Sequence, residues 1–325
     1  MTQNNNYSDR GGHRPMHSSS DISGEIERLA AANPENANTI YSGYFKNIYA
    51  KKILGSPPVT RGPNGRTEIH VLTCHKDLLE TLWCLKTFYH FSKADWRLVI
   101  HDDGSLTSSD IAIYTDHFAH CRIVPRKEAD EKLSSAMKNT PFSYKCRFEK
   151  FLVLSMKLFD PFFFSEADTI LIVDSDVLFF GEPSEVIDCC ANNTPCFMDD
   201  YQNAYSLQIA DLNNIIGTSV INRLNSGLLC YQRNSFDLEL VENLMQAVLG
   251  NRNFDNTGWI EQTVFALLFT LFDDPPRRLS KNYQISFKTI TGDTVCHHYV
   301  NDGSRIYFYA QGLRHLALNG FLRKL

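Results

Sequence analysis

Two carboxylates stand in the most hydrophobic part of the chain. The segment Thr169–Phe180, TILIVDSDVLFF, places Asp174 and Asp176 between two apolar runs. Because a buried carboxylate without a partner is unfavourable, we expect both to face a polar opening or to hold a cation. If the backbone is extended here, the two side chains point to the same side, since successive side chains alternate. They would then offer two oxygen ligands to one hard divalent ion.

The elements around this pair predict a sheet that would position it. Thr169–Val173 is apolar and rich in β-branched residues, which is typical of a strand buried on both faces. Strand and helix patterns alternate upstream: Glu68–Cys74, Lys76–Phe91, Trp96–His101, Ser108–His117 and Cys121–Pro125. This order predicts an α/β fold with a doubly wound sheet, and ligands of such sheets bind at the carboxyl ends of the strands.

The remaining patterns extend this fold. The spacing of apolar residues predicts a single amphipathic helix over Arg147–Phe159, which leads through Pro161 into the Asp-x-Asp strand. Further strands are predicted at Pro195–Asp199, after Asn225-Ser226-Gly227 and within Ile290–Val300, and further helices at Ile22–Ala32, Asp237–Leu249 and Trp259–Phe272. We divide the chain into an N-terminal extension (1–65), disordered and then partly helical, a folded domain (66–302) and a basic tail (303–325).

Composition excludes several classes of protein. The net charge of the 325 residues is -5, and residues 67–325 are more acidic still, which argues against binding of nucleic acid. Nine scattered cysteines and an N-terminus without an apolar stretch predict reduced thiols and a cytoplasmic protein. The apolar region 161–180 contains four acidic residues, which excludes a membrane span.

The order of short motifs along residues 66–300 resembles that of the GT-A nucleotide-sugar glycosyltransferases, and the glycogenin-like and galactosyltransferase-like group in particular. Besides Asp-x-Asp, these motifs are Asp-Asp-Gly-Ser at 102–105, Asn-Ser-Gly at 225–227, Trp-Ile-Glu-Gln at 259–262 and the late His298. The resemblance implies a single GT-A domain with a Rossmann-like, doubly wound mixed sheet. It also implies hexosyltransferase-like activity with a nucleoside-diphosphate sugar, UDP-sugar favoured, and a glycan, lipid-linked or protein acceptor.

The resemblance further implies a site. Mn²⁺ or Mg²⁺ would be held by Asp174, Asp176 and His298; His297 is the rival ligand, and only one of two adjacent strand residues can face the ion. The residues expected to bind the donor are Thr73, Asp102, Asp103, Lys150, Ser175 and Arg305, with Lys145 and Arg147 as alternatives to Lys150. The residues expected around the reacting sugar are Asn225, Asp200, Glu261 and Gln262. The group has Asp where this chain has Glu261, and its Gly-x-x-Lys-Pro-Trp is replaced by NDGSRIYFY.

Other functions remain open at this point. A haloacid-dehalogenase-like phosphatase would use Asp174 as nucleophile and Asp176 as acid-base partner, but it expects this motif early in the chain. A sugar nucleotidyltransferase would need a glycine-rich loop after the first strand, where this chain has TCHKD. A non-catalytic protein that binds a sugar nucleotide would not need the pair of metal-binding aspartates, Asp174 and Asp176. The resemblance favours retention; an inverting enzyme would need Asp199, Asp200 or Glu261 as base.

The C-terminal tail allows two interpretations. From Gly303 onward it holds four Lys or Arg residues and no acidic residue, with Leu313, Leu316, Leu318 and Phe321 among its apolar residues. Such a segment can contact the inner, anionic face of a membrane near a lipid-linked acceptor. Packing of the tail on the folded domain is the interpretation that we favour.

Overall fold

Ten strands form two sheets. A computed structural model describes residues 19–60, 65–148, 153–253 and 257–325. The strands are β1 Thr67–Thr73, β2 Arg97–Asp102, β3 Cys121–Val124, β4 Thr169–Val173, β5 Val177–Phe179, β6 Cys196–Asp199, β7 Leu224–Gln232, β8 Arg277–Arg278, β9 Tyr283–Ile285 and β10 Cys296–His298. The large sheet has the order β3-β2-β1-β4-β7-β6-β8, and the small one β5-β10-β9.

Helices cover both faces of the large sheet. They are α1 Ser19–Ala32, α2 Ala37–Tyr44, α3 Leu78–Ser92, α4 Ser108–His117, α5 Arg126–Ala136, α6 Pro141–Phe148, α7 Met156–Phe164, α8 Ser184–Ala191, α9 Ile209–Ile216, α10 Leu238–Leu249, α11 Ile260–Leu271, α12 Asn301–Tyr307 and α13 Arg314–Leu318. Short 3₁₀ turns precede several of them, including Val153–Ser155 before α7 and Thr257–Trp259 before α11.

The large sheet is mixed, as the sequence predicts. Strands β3, β2, β1 and β4 run parallel to one another. Strand β7 lies between β4 and β6 and is antiparallel to both. Every residue of β4 is buried, because alternate side chains enter two different cores. Leu171 packs in the core with α3, and Ile172 packs in the core with α11. The α/β, doubly wound mixed sheet is therefore confirmed.

The segments that flank the central domain pack against each other. Tyr44 and Phe45 from the N-terminal segment share one core with Leu313 and Phe321 from the C-terminal segment. Leu316 is buried too, and Leu318 alone of the four apolar tail residues is exposed. Packing of the tail on the domain is thus confirmed. The boundaries at 65 and 302 stay a prediction, and the disorder predicted at the start of the chain lies outside the described residues.

The helix predicted over Arg147–Phe159 is wrong as a single element. One helix, α6, ends at Phe148, and the next, α7, begins at Met156 and continues past Pro161 to Phe164. The buried guanidinium of Arg147 donates to both carboxylate oxygens of Asp160 at 2.6 and 2.8 Å, which ties the two helices together. In one straight helix these two residues would be about 20 Å apart, so the contact excludes a single helix. Apolar periodicity does not report a contact of this kind.

The described part of the chain has no helix long and apolar enough to cross a membrane. All nine cysteines are free thiols.

Candidate functional site

The two aspartates lie on a turn between β4 and β5. The N–H of Val177 donates to the carbonyl of Asp174 at 3.2 Å, so the backbone is not extended here as we had assumed. The carboxylates converge nonetheless, because β5 leaves the turn to pair with β10 in the small sheet. This pairing places His298 opposite Val177, directly beside Asp176. The small sheet therefore brings a late histidine to the Asp-x-Asp turn.

Three side chains at this turn could hold one metal ion. The ligand atoms of Asp174, Asp176 and His298 all lie within 4.8 Å of one another. Nε2 of His298 is 3.0 Å from Oδ1 of Asp176 and 3.6 Å from Oδ2 of Asp174. The rival histidine faces away: Nε2 of His297 lies 2.9 Å from the carbonyl oxygen of Ser286. Alternation along β10 thus presents one histidine to the carboxylates and the other to the core.

Asn225 fixes the histidine for this role. Its Oδ1 accepts the N–H of Gly227 at 2.9 Å, so it also accepts, and does not donate, in the 2.8 Å contact with Nδ1 of His298. The proton of the ring is therefore on Nδ1, and Nε2 faces the two carboxylates. A second hydrogen bond that orients a metal-binding histidine in this way is a common feature of metal sites.

Gly227 makes room for the imidazole. A Cβ at this position would lie 2.1 Å from Cε1 of His298, far inside van der Waals contact. The glycine of Asn-Ser-Gly is required by this close approach, and its neighbour Asn225 orients the same ring. Two carboxylates and a neutral imidazole nitrogen suit Mn²⁺, and the carboxylates alone suit Mg²⁺. The residues present therefore fit a divalent ion.

The electrostatics of the trio agree with a cation site. Burial alone would lower the pKa of His298, but the carboxylates of Asp176 and Asp174 raise it. Burial would likewise raise the pKa of Asp176, and the imidazole of His298 lowers it. The carboxylate of Asp176 thus stays ionised with the help of positive charge close by, which a divalent ion also supplies.

Lys157 is the cation that sequence reasoning missed. Its Nζ lies 2.9 and 3.0 Å from the two oxygens of Asp174 and 3.4 Å from Oε1 of Glu261. Burial would lower the pKa of this lysine, but the carboxylates of Asp174 and Glu261 raise it, so the side chain is charged. Burial raises the pKa of Glu261 to about 7, and Ser226 donates to its Oε2 at 3.0 Å.

The structure does not support the other cations predicted at the head of the predicted helix. Lys150 lies outside the described residues. Arg147, its rival, pairs with Asp160 and with Asp130 at 3.0 Å and does not line the cleft. A lysine at position 157, inside the apolar run LSMKLFDPF, was the available signal, since a buried cation needs an acidic partner.

Gln262 and Asp200 complete the polar floor of the cleft. Oε1 of Gln262 accepts the backbone N–H of Ser226 at 3.0 Å, and its Nε2 donates to the carbonyl of Ala204 at 3.0 Å. Oδ2 of Asp200 accepts from Nδ2 of Asn225 at 3.0 Å. The structure therefore brings the predicted Asn225, Asp200, Glu261 and Gln262 together, with much of their hydrogen-bonding capacity used to hold β7 against α11.

Arg305 reaches the cleft from α12. Its guanidinium donates to both oxygens of Asp77 at 2.7 and 3.2 Å, and it lies 3.6 Å from Oδ2 of Asp176. Ser175 also donates to Asp77, at 3.3 Å. Asp77 was not among the predicted site residues, because an aspartate beside the start of a helix has an ordinary explanation in helix capping.

The ends of β1 and β2 form the opposite side of the cleft. Thr73 and Asp103 line it, as predicted for contacts with a nucleoside. Asp102 is not among the lining residues; its Oδ1 instead accepts the N–H groups of Gly104 at 2.7 Å and Leu106 at 3.1 Å. The carboxylate of Asp102 thus stabilises the loop that follows β2 and does not line the cleft.

With the exception of Asp102, Arg147 and His297, the candidate ligand-binding residues whose contacts are given above line one cleft of about 420 Å³. Its floor holds the Asp174, Asp176 and His298 trio, and cations stand on two sides of it, Lys157 and Arg305. A site of this kind can bind a divalent ion and a polyanion at the carboxyl ends of parallel strands.

The chain is similar in structure to known glycosyltransferases. It superimposes on mouse xyloside xylosyltransferase 1, in its apo form, with a TM-score of 0.51 and 11% identity over 72% of this chain and 98% of that one. The apo structure of the bifunctional glycosyltransferase WbbM gives a TM-score of 0.51 and 10% identity over 75% of this chain and 47% of that one. In sequence, no protein-family profile and no curated protein matches the chain.

The fold is therefore the GT-A fold of nucleotide-sugar glycosyltransferases, and the fold predicted from the motif order is confirmed. Because the identities are near 10%, this likeness concerns the fold alone.

Proposed function

We propose that this chain is a metal-dependent glycosyltransferase that moves a sugar from a nucleoside-diphosphate sugar to an acceptor hydroxyl. The support is the trio of Asp174, Asp176 and His298, whose ligand atoms lie within 4.8 Å of one another in the main cleft of a GT-A fold. We favour a UDP-sugar as donor and Mn²⁺ or Mg²⁺ as the ion.

The charged groups around the cleft have defined roles in this reaction. A divalent ion held by Asp174, Asp176 and His298 would act as Lewis acid on the departing diphosphate. Arg305, which lies 3.6 Å from Asp176, adds positive charge for the same diphosphate. Lys157 holds Asp174 in place through both carboxylate oxygens. The protein thus positions and neutralises the leaving group.

The bonds change at the anomeric carbon of the donor. Its bond to the diphosphate oxygen breaks, the electron pair leaves with the diphosphate, and the acceptor oxygen forms the new bond. We propose that the acceptor proton passes to the departing diphosphate. The three carboxylates expected as bases in an inverting reaction are engaged already: Asp199 with Arg223, Asp200 with Asn225, and Glu261 with Ser226. This arrangement favours retention.

The other enzyme classes fit the cleft less well. A haloacid-dehalogenase-like phosphatase expects the Asp-x-Asp motif early in the chain, whereas here the motif follows β4, after three other strands of the same sheet. A nucleotidyltransferase would need a glycine-rich loop after β1, and this chain has a 3₁₀ turn at His75–Asp77 without glycine.

Location and membrane contact stay predictions. We expect a cytoplasmic protein that binds no nucleic acid. Leu318, Arg323 and Lys324 remain at the surface of the C-terminal segment as candidates for contact with an anionic membrane. Sedimentation with vesicles containing phosphatidylserine, for the full chain and for a Leu318→Ser variant, measures this contact. Equal and negligible binding of both proteins would contradict it.

Turnover of sugar nucleotides tests the function. The full-length protein is incubated with a panel of UDP- and GDP-sugars in Mn²⁺, and release of the nucleoside diphosphate is measured. We expect release with at least one donor and a loss of at least 100-fold in Asp176→Asn, since a metal ligand is removed. The control Asp168→Asn changes an exposed aspartate outside the cleft. Full activity of Asp176→Asn, or in excess chelator, would contradict the proposal.

A further inference from the structure

One wall of the cleft is apolar and open. It is formed by Val153, Leu154, Ala204, Gly258 and Trp259, which all line the same cavity as the metal trio. Leu154 is 50% exposed, and Val153 and Trp259 are each 39% exposed. Large apolar side chains that stay open to solvent inside a cleft mark a surface that is covered when the cleft is occupied.

This wall adjoins the reacting groups. The contact of 3.4 Å between Lys157 and Glu261 joins α7 to α11. Leu154 precedes Lys157 by three residues on a helical turn, so the two side chains lie on one face. Trp259 is the residue that precedes α11 and stands two positions before Glu261. The apolar wall therefore lies next to the Lys157–Glu261 contact.

Hydrogen bonds hold the wall in its present shape. Ser155, next to Leu154, donates to the carbonyl of Cys146 at 2.9 Å. The hydroxyl of Thr263 donates to the carbonyl of Trp259 at 2.7 Å and accepts the N–H of Ser206 at 2.8 Å. Both segments of the wall are thus anchored to their surroundings without a ligand, so little conformational entropy is lost when a ligand binds.

The charged groups of the cleft pair with one another and not with the wall, Lys157 with Asp174 and Glu261 and Arg305 with Asp77. The described residues of the wall include no Lys, Arg, Asp or Glu, whereas Lys157 and Arg305 lie beside the metal trio. A charged group on the wall would lose its hydration without gaining a partner. The occupant of the wall is therefore neutral and apolar, while the polyanionic donor lies on the metal side.

We propose that this wall, made of Val153, Leu154, Ala204, Gly258 and Trp259, is an acceptor subsite. It binds a neutral alkyl or aryl group carried next to the hydroxyl that attacks the donor, as in a glycoside with an apolar aglycone. This inference rests on the proposed function, because it assigns the second substrate of that reaction. Trp259 offers a flat ring for an aryl group, and Leu154 and Val153 offer packing for an alkyl chain.

Aglycone length provides the first test. Methyl, butyl and octyl glycosides of glucose, galactose and xylose are compared as acceptors, below their critical micelle concentrations. The donor is the sugar nucleotide that the turnover assay identifies as active. Burial of a methylene strengthens binding by up to about fourfold, so we expect kcat/KM to rise by at least tenfold from methyl to octyl. Equal kcat/KM for the three aglycones, with hydrolysis of the donor intact, would overturn the proposal.

Two leucines provide a matched pair of variants. Leu154→Ser changes the wall, and Leu271→Ser changes a similarly exposed leucine at the far end of α11. We expect Leu154→Ser to lose most of the octyl preference, measured as the ratio of kcat/KM for the octyl and methyl acceptors. Leu271→Ser should behave as the unchanged protein. Equal behaviour of the two variants would contradict the assignment of the wall.

Fluorescence tests binding without catalysis. The chain has three tryptophans, and Trp83 is fully buried while Trp259 is exposed in the cleft. Octyl glucoside should shift the emission of the protein at concentrations where methyl glucoside does not, and Trp259→Phe should lose this shift. No difference between the two glycosides would overturn the proposal even if no donor is turned over. Failure of the proposed function would appear separately, as absence of Mn²⁺-dependent donor binding.

Discussion

Oδ1 of Asn225 lies 2.8 Å from Nδ1 of His298 and accepts a hydrogen bond from its N–H. The same oxygen accepts the N–H of Gly227, so the amide cannot be turned without the loss of both hydrogen bonds. One asparagine thus determines which nitrogen of the histidine faces Asp174 and Asp176. The Asn-Ser-Gly motif, which the sequence assigns to contacts with sugar, orients in this structure the histidine of the candidate metal trio.

Asn225→Ala should weaken metal binding. Without the amide oxygen, the imidazole of His298 loses the hydrogen bond that fixes its ring, and losses of this kind lower metal affinity by about 10- to 100-fold. Calorimetric titration with Mn²⁺ measures the change. Asn234→Ala, at an exposed asparagine, serves as control. An unchanged affinity in Asn225→Ala would show that the hydrogen bond does not orient the ligand.

Gly227→Ala should displace His298. The new methyl group would stand 2.1 Å from the ring of His298, so either the ring or β7 has to move. We expect Mn²⁺ affinity to fall at least tenfold and the melting temperature to fall by several degrees, as for overpacking in a core. Gly292→Ala is the control, because a Cβ there meets nothing within 4 Å. Similar results for both substitutions would refute the close approach.

Lys157→Met should destabilise the fold as well as the site. The substitution leaves the carboxylates of Asp174 and Glu261 without their buried cation, and such a loss costs about 3 to 5 kcal/mol. Urea unfolding of Lys157→Met, Glu261→Gln and the double variant measures the coupling. We expect the double variant to be more stable than the sum of the single losses. Additive losses would mean that the two residues do not interact.

The carboxylate of Glu68 should make the protein sensitive to acid. Burial alone would raise its pKa, but the nearby imidazole of His70 and hydrogen bonds from Ser165 and the N–H of Glu166 lower it to about 2. The folded-state pKa is below the unfolded one, so this stabilisation is complete above pH 4.5 and is lost as the pH falls towards 2. The shift corresponds to about 3 kcal/mol at most.

Urea unfolding between pH 7 and pH 3 measures this effect. The stability difference between the unchanged protein and Glu68→Gln should shrink as the pH falls below about 4.5. Glu35→Gln, at an exposed residue, should show no such trend. A difference that stays constant over the whole range would mean that the carboxylate of Glu68 is not held in its charged form.

Sequence patterns predicted those parts of the fold that depend on local chemistry. The buried strand before Asp174 follows from its apolar pattern, and side-chain alternation predicts that only one of His297 and His298 faces the ion. The choice of His298 came from the family resemblance. The mixed character of the sheet followed from the motif order and not from any single strand. The break between α6 and α7 was missed because it depends on the pairing of Arg147 with Asp160, which lies in a different helix.

Residues that act through others were harder to predict. Lys157 was overlooked because one helix was expected and Lys150 was placed at its head. Asp77 gave no signal at all, since its partner Arg305 lies 228 positions away in the sequence. Asn225 was found by its motif, but its contact with His298 depends on the second sheet, which no local pattern specifies. Distant pairing of this kind becomes visible only in three dimensions.

The central claim is that Asp174, Asp176 and His298 together hold one divalent ion. Calorimetric titration of the purified protein with Mn²⁺, in the presence and absence of UDP, tests it most directly. We predict one ion per chain, tighter binding with UDP, and affinity losses of at least 100-fold in Asp176→Asn and at least tenfold in His298→Asn, but not in His297→Asn. Binding that is unchanged in Asp176→Asn and His298→Asn, or absent in the unchanged protein, would contradict the claim.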